Sequence, residues 1–370
     1  MEIIKKIMFD SIYKNKKVLI TGHTGFKGSW LAKWLLELGA DVYGYSIDIP
    51  SKPSHFKKLN LEDDMVSCFG DVRDYNNFKN FIDKHEPEIV FHLAAQPIVR
   101  MSFTNPLETI ETNVMGVANI LEITRQVNYI KSLVIITSDK CYENVEWTYG
   151  YRETDRVGGE DPYSASKGAA EIIASTYMRT YFNDERVYVS TVRAGNVIGG
   201  GDWAKDRLIP DAVRAWSENN ILSIRNPKAT RPWQHVLEPL SGYLQVGAEL
   251  IKRNKICKNQ SFNFGPDSTV NKNVVEVLTE MSKSWENVKW SVESNGNNLK
   301  EAGLLKLCCD KAHHLISWYP TLNFNETIEF TMSWYREYYN DKNFDCNKFT
   351  INQIKLYSEK ALSSLLLWTK

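Results

Sequence analysis

Three glycines spaced three residues apart, Gly22, Gly25 and Gly28, lie in Thr21-Gly22-His23-Thr24-Gly25-Phe26-Lys27-Gly28, between an apolar run and an amphipathic stretch. The run Val18-Leu19-Ile20-Thr21 reads as a strand. From Ser29 to Leu38, the residues Trp30, Leu31, Trp34, Leu35 and Leu38 recur at helical spacing, and Gly39 stops the pattern. A strand, a glycine-rich turn and a helix in that order restrict the fold sharply. Gly22 permits the tight turn, Gly25 lets the backbone approach a pyrophosphate, and Gly28 lets the helix pack closely on its sheet. The N–H groups of the first helical turn and the positive end of the helix dipole then face the phosphates. A glycine triplet by itself is often only a turn; its placement between strand and helix carries the reading.

Further strands are predicted at Val42–Ser46, Met65–Phe69, Ile89–Leu93, Leu133–Thr137 and Val187–Val192, and helical stretches at Leu107–Arg125 and Ser164–Phe182. This alternation predicts an α/β fold with a Rossmann-type, doubly wound parallel sheet. Beyond residue 196 the pattern turns irregular, with loop-like GNVIGGGDW, RNPKATRPWQHV and FNFGPD and short helices at Pro239–Lys252 and Asn273–Glu286. Such stretches shape binding surfaces, so a smaller, mixed C-terminal substrate-binding domain is expected. Residues 1–195 would form the dinucleotide domain, including the catalytic groups. Residues 196–340 would mainly bind substrate, with some chain returning to the sheet, and residues 341–370 would be a helical C-terminal extension.

Lys+Arg and Asp+Glu both number 45, so the net charge is zero and neither a nucleic-acid nor a membrane-surface partner is expected. No stretch approaches the ~20 apolar residues of a membrane span, and charges break the apolar runs of MEIIKKIMFDSIYKNKK, unlike a signal peptide. The cysteines Cys68, Cys141, Cys257, Cys308, Cys309 and Cys346 lack metal-ligand spacing. They read as reduced thiols of a cytoplasmic protein without a metal.

At the strand ends, Ser46 stands where an acid usually takes the adenosine ribose hydroxyls, with Asp48 two residues on and no arginine to claim a ribose phosphate. NAD is therefore expected rather than NADP. Asp71 and Val72 could hold the adenine, although a loop-capping carboxylate explains Asp71 equally well. Leu93, Ala94 and Ala95 would let the dinucleotide lie close to the fourth strand. Tyr163-Ser-Ala-Ser-Lys167 puts a phenol and an ammonium on one helical face, where the cation should favour the phenolate. Thr137-Ser138-Asp139-Lys140-Cys141-Tyr142 brings a hydroxyl, a carboxylate and an amine to the carboxyl end of the fifth strand, where open parallel sheets bind ligands.

Together with HLAAQP, TNVMG, DRLIPD and RPWQHVLEPL, these motifs resemble the CDP-glucose 4,6-dehydratase family of extended short-chain dehydrogenase/reductases, from about Lys17 to Tyr335. HTGFKGSW and TSDKCY are narrower than the motifs of the superfamily at large. The helix after residue 340 has no counterpart that we can map. The resemblance implies oxidation of the sugar at C4 with NAD, loss of water across C5 and C6, and return of the hydride to C6. The substrate would be CDP-glucose and the product CDP-4-dehydro-6-deoxyglucose. Tyr163 would be the C4-hydroxyl base, Lys167 would lower its pKa and hold the ribose, Ser138 would bind the C4 oxygen, and Asp139 would protonate the leaving hydroxyl. Lys140 stands where related dehydratases place a glutamate. It would be the C5 base, for which it must be neutral, or else a charged stabiliser of the enolate; the base is the expectation. His23, Thr24, Phe26 and Asn113 would join the cofactor contacts. Ser102, Asn196, Arg207, Arg231 and His235 would contact the nucleotide sugar, Arg193 could bind its diphosphate, and for His235 a packed loop histidine is the stronger reading. A homodimer or dimer of dimers through Leu107–Arg125 and Ser164–Phe182 is also implied. The rivals are a UDP-sugar 4-epimerase, which needs no elimination acid, and a dinucleotide-binding protein without catalysis.

Overall fold

A computed structural model describes residues 8–267, 270–292 and 303–370; the first seven residues, part of the segment read as unlike a signal peptide, lie outside it. β1 (Lys17–Thr21) leads through the glycine turn into α1 (Phe26–Glu37). β2 (Asp41–Ser46), α2 (His55–Lys58), α3 (Leu61–Asp64), β3 (Val66–Phe69), α4 (Tyr75–His85) and β4 (Ile89–His92) follow. Next come α5 (Val99–Thr104), α6 (Pro106–Ile110), α7 (Gly116–Gln126), β5 (Ser132–Ile136), α8 (Pro162–Thr180) and β6 (Tyr188–Ala194). The remainder comprises β7 (Val197–Ile198), α9 (Leu208–Ser217), β8 (Leu222–Ile224), β9 (Thr230–Arg231), β10 (Gln234–His235), α10 (Leu237–Ile251) and β11 (Gln260–Phe264). It closes with β12 (Lys272–Asn273), α11 (Val274–Met281), β13 (Trp290–Val292), α12 (Asp310–Ile316), α13 (Phe324–Asn340) and α14 (Cys346–Ser363).

Seven strands form one parallel sheet in the order β3-β2-β1-β4-β5-β6-β11, so β11 brings the chain back to the sheet beside β6. Successive strand residues feed opposite faces. Val18, Ile20, Ile89, Phe91 and Val134 join one core with Trp30 and Trp34 of α1 and Leu240 of α10. Leu19, Val90, Leu133 and Ile135 join the other with Phe78 of α4, Ile120 of α7 and Ala174 of α8. Burial on both faces is why these strands read as continuous apolar runs, and the architecture agrees with the doubly wound sheet expected. The strand order reverses between β1 and β4, which opens a crevice at their carboxyl ends. Among the described residues, no helix is long and apolar enough to cross a membrane.

The stretch predicted as one helix over Leu107–Arg125 contains a π turn at Glu111–Met115, which carries the buried Asn113. The helix predicted to run to Glu286 stops at Met281, after a capping box in which Asn273 and Glu276 exchange hydrogen bonds.

The segment after residue 340 packs against α1. Trp34 meets Tyr357 and Trp368 edge-on, and Trp368 stacks on Phe9 with ring centroids 5.2 Å apart. A chain of hydrogen bonds runs from here to the glycine turn. Trp334 Nε1 donates to Thr350 Oγ1 (3.2 Å), which lies 3.2 Å from His55 Nε2; His55 Nδ1 lies 3.0 Å from Ser29 Oγ, which donates to the Phe26 carbonyl (2.9 Å). The proton order follows. Because the Ser29 hydrogen goes to the carbonyl, His55 Nδ1 must carry the hydrogen directed at Ser29, leaving Nε2 to accept from Thr350. Burial pushes His55 down to about 3, so the ring is neutral.

Glu238 on α10 holds the same region. Its carboxylate accepts from the N–H groups of Thr321 and Leu322 and from the Tyr357 hydroxyl (2.9 Å). Burial pushes it up from 4.5 to about 7, against the effect of those donors. A raised folded-state pKa contributes stability that is present below the unfolded pKa of 4.5 and lost as the pH rises through about 7. Urea unfolding at several pH values should therefore show wild type losing ~1–3 kcal/mol relative to Glu238→Gln between these limits. A flat difference would refute it.

Candidate active site

At the end of β1, Gly22 has a φ of +75°, in the left-handed region. A Cβ at Gly28 would lie 2.1 Å from the Gly22 oxygen, so α1 packs directly on the turn. Gly25 caps α1 without any side-chain acceptor, which leaves the first N–H groups of the helix to an outside anion. This cradle fits a dinucleotide pyrophosphate.

His23 lies beneath the turn as a bracket. Its ring is buried, 2.8 Å from Ser46 Oγ and 2.7 Å from Ser67 Oγ, and a Cβ at Gly44 would lie 2.4 Å from it. Burial pushes His23 down to about 4. The expectation that Ser46 faces the ribose meets a difficulty, since its buried hydroxyl is committed to His23 and the Thr24 N–H. Thr24 Oγ1 donates to the Asp48 carbonyl (2.6 Å), and the Asp48 side chain is exposed at the strand end. Phe26, half-buried, opens α1, with its ring near Gly199. Asp71 forms the loop cap weighed above. It accepts from the Arg73 N–H (2.8 Å) and the Arg73 guanidinium (2.6 Å), which hold it below the usual carboxylate range although burial opposes them. Val72 is buried, and its carbonyl accepts from Asn119 (2.8 Å). At the end of β4, Leu93 and Ala94 donate to the backbone and hydroxyl oxygens of Thr21 (3.1 Å each), and Ala95 follows, half-buried. Asn113 accepts from the Gln96 N–H (2.8 Å) and donates to Ser166 Oγ (2.9 Å), fixing this loop to α8.

Ser138, Asp139, Lys140, Tyr163 and Lys167 converge beyond β5. Ser138 donates to Asp139 Oδ1 (2.9 Å), accepts from the Lys140 N–H (3.2 Å) and lies close enough to the Tyr163 phenol to draw its pKa down. Asp139 is buried with Oδ2 unpartnered, and desolvation raises its pKa against the positive charges of Lys140, Lys27 and Arg231. A Cβ at Gly195 would come within 3.1 Å of Oδ2, so the glycine keeps that space open. Such a carboxyl holds a proton more tightly than an exposed one, as a proton donor should. The phenol departs from expectation: burial pushes Tyr163 up to about 12, with Ser138 and Arg207 opposing. The Lys167 ammonium lies 5.9 Å from the ring centroid, over the ring, and burial pushes it down to about 8.

Of the substrate-side residues, Asn196 is half-buried on the strand-end loop, and its carbonyl accepts from the Gln234 N–H (3.1 Å). Arg207 pairs with Asp202 (2.9 Å) near Tyr163. Arg231 donates to the Thr230 carbonyl (2.8 Å), and its charge reaches Asp139. Three residues named as possible ligand contacts are committed to the protein interior, His235 in the packing role that was its stronger reading. Ser102 is fully buried in α5 and donates to the Val99 carbonyl (2.6 Å). His235 is fully buried between the rings of Trp30 and Phe330, pushed down to about 3, and so is a packing histidine. Arg193 is likewise no diphosphate ligand. It forms a buried two-pronged pair with Glu171 (2.9 and 2.7 Å) and donates to the Tyr142 hydroxyl (2.6 Å). Glu171, Lys27 and Tyr243 escaped the sequence reading. The first lies four residues past Lys167, one helical turn along the catalytic face, which was a usable signal.

A family model described as GDP-mannose 4,6 dehydratase matches residues 19–331. The CDP-glucose 4,6-dehydratase of Salmonella typhimurium is 48% identical over 332 residues, covering 88% of this chain and 92% of that protein. The chain belongs to the 4,6-dehydratase family. Its fold recurs in the epimerase Mth375 of Methanothermobacter thermautotrophicus (TM-score 0.77, 22% identity, 90% of this chain and 97% of that one). It recurs also in the dTDP-glucose 4,6-dehydratase of Bacillus anthracis in complex with NAD (TM-score 0.70, 21% identity, 86% and 96%).

In this family member the Glu171–Arg193 pair should be purely structural. Arg193→Met should destabilise the fold by ~3–5 kcal/mol, because it strands a buried carboxylate. Nucleotide-sugar affinity of the folded fraction, measured by calorimetry, should be unchanged; a weakened affinity at unaltered stability would restore Arg193 as a ligand.

Proposed function

We propose that this chain dehydrates CDP-glucose to CDP-4-dehydro-6-deoxyglucose with NAD. The observation that carries this reading is Asp139, a buried carboxyl with raised pKa and an unpartnered oxygen beside Ser138 and Tyr163. Elimination needs such an acid, and 4-epimerisation does not. The 48% identity with the Salmonella CDP-glucose 4,6-dehydratase supports the nucleotide and the sugar.

When bound, NAD accepts the hydride from C4 and later returns it to C6. Its pyrophosphate would rest on the first turn of α1, and exposed Asp48 is better placed than Ser46 to meet the ribose. That carboxylate would repel a ribose phosphate, which favours NAD over NADP. Ser138 would hold the C4 oxygen while Tyr163 takes its proton. Lys167 and the positive nicotinamide would draw the phenol towards ionisation, against its burial. The C4 ketone acidifies C5–H. Lys140, half-buried on the Asp139 turn, would take that proton, and Asp139 would give its own to the C6 hydroxyl. Arg207 and Arg231 would face the diphosphate, as planar guanidinium groups suit.

CDP-glucose should lose water far faster than TDP-, UDP- or GDP-sugars in a mass-spectrometric panel. Tyr163→Phe should abolish even a single-turnover rise in NADH absorbance. Asp139→Asn and Lys140→Met should form NADH and then stall, about 10²–10⁴-fold slower in water loss. Preference for another nucleotide would overturn the substrate, and absence of NADH in Lys140→Met would make that lysine a binding residue.

The reading includes a cytoplasmic homodimer. Leu107 (74% exposed), Ile110 and Met115 lie on the α6–α7 segment, and Ile172 lies on neighbouring α8; together they leave an apolar face of the kind that pairs by two-fold symmetry. Leu107→Glu with Ile172→Glu should halve the mass seen in sedimentation; an unchanged mass would exclude this face.

A further inference from the structure

The site contains a third lysine that neither the strand-end motif nor the Tyr-x-x-x-Lys pair supplies. Lys27 occupies the first turn of α1, two residues past Gly25. Its Nζ lies 6.0 Å from the centroid of the Tyr243 ring on α10. Its charge acts on Asp139 and is opposed by Arg207 and Lys167, so the ammonium sits among the groups assigned to the chemistry. Among the described residues it has neither a hydrogen-bond acceptor nor an ion-pair partner.

Two further polar atoms at the same place are unpartnered. Asp139 Oδ2 and the Tyr243 hydroxyl are both buried and unbonded, and Asp139 and Tyr163 both bear electrostatically on Tyr243. A carboxyl oxygen and a phenol removed from water without partners are costly, and the half-buried Lys27 adds an ammonium without a protein acceptor beside them. Burial has already pushed Lys27 down to about 8, yet no protein acceptor has been provided. A ligand oxygen placed between Lys27 and Asp139 satisfies two of the three groups. A side chain that merely filled space over Tyr243 would need no charge.

Resting on the dehydratase reading above, the choice of oxygen follows from Asp139. If Asp139 protonates the C6 hydroxyl, that hydroxyl must approach Oδ2, the oxygen without a protein partner, within the field of the Lys27 charge. We propose that Lys27 is a further catalytic residue of the elimination, its ammonium hydrogen-bonding the C6 oxygen that departs as water. The Asp139 proton moves to the C6 oxygen, and the C6–O bond breaks with its electron pair going to oxygen. The pair from the broken C5–H bond becomes the C5=C6 double bond, and the C5 proton passes to the base assigned to Lys140. Lys27 keeps its own protons and stabilises the charge that grows on the leaving oxygen.

The test compares wild type, Lys27→Met and Lys27→Arg on CDP-glucose and on CDP-6-deoxy-6-fluoroglucose, whose fluoride needs no proton to leave. Lys27→Met should form NADH in a single turnover at a near wild-type rate. It should lose water from CDP-glucose about 10²-fold more slowly and slow fluoride release at least as much, because fluoride departs as an anion and leans on the ammonium alone, whereas Asp139→Asn should spare fluoride release. Lys27→Arg should recover part of the water-loss rate. Melting temperatures of the variants show whether each is folded; should Lys27→Met fail to fold, the same comparison between Lys27→Arg and Lys27→Gln decides. Water loss at the wild-type rate without the lysine overturns the proposal. So does fluoride release by Lys27→Met at the wild-type rate, or a loss confined to NAD or nucleotide-sugar affinity. A wild type inert towards CDP-glucose sinks the dehydratase reading as well, whereas an active wild type matched by Lys27→Met sinks this inference alone.

Discussion

One carboxylate, Glu171, ties the catalytic helix to the sheet. Its oxygens accept from Thr137 just past β5, from Thr191 and Arg193 on β6 and from Ser261 on β11, all behind the Tyr163–Lys167 face of α8. Three elements that supply or support the reacting groups thus share one buried charge. A buried ion pair adds little net stability compared with an apolar core, but it allows only one arrangement of its donors. Here that arrangement fixes the rotation of α8, and hence where its phenol and ammonium point. Arg193 extends the same constraint through the Tyr142 hydroxyl to Asn263.

The local and periodic features were legible in the sequence. The glycine turn, the strands and the Tyr163–Lys167 spacing depend on residues within a few positions of one another, and the chain reports them directly. Arg193 was not legible, because a charge inside an apolar strand has two physical explanations. It either meets a ligand or meets a buried opposite charge, and the deciding partner, Glu171, lies on another element. His235 posed the same ambiguity in a loop, where the rings of Trp30 and Phe330 decide it. Ser46 misled in a different way. Its position at the strand end was right, but His23, from the turn itself, claims its hydroxyl. Lys27 was hidden inside a motif whose glycines draw the attention. The helix over Leu107–Arg125 was read without its π turn because hydrophobic spacing cannot register one inserted residue, and that insertion is what turns Asn113 towards Gln96.

Burial and ionisation divide the site in a chemically useful way. Desolvation makes Asp139 and Tyr163 hold their protons and makes Lys167 and Lys27 give theirs up more readily. For Asp139 and the amines this narrows the gap between acid and base, because the carboxyl rises while Lys27 and Lys167 fall. For Tyr163 and Lys167 it widens the gap, to about 12 against about 8, so burial alone opposes ionisation of the phenol.

The oriented chain from Trp334 through Thr350, His55 and Ser29 to the Phe26 carbonyl has a consequence for modularity. Both hydroxyls in it donate and accept, and the two His55 nitrogens take opposite roles, so no member can be exchanged without re-orienting the rest. The last helix is therefore not a detachable appendage whose sequence may drift freely. Its Thr350 and the Ser29 of the first helix inherit each other's constraints across almost the whole length of the chain. Chimeras built by joining the front of one such enzyme to the back of another would have to carry both ends of this wire together.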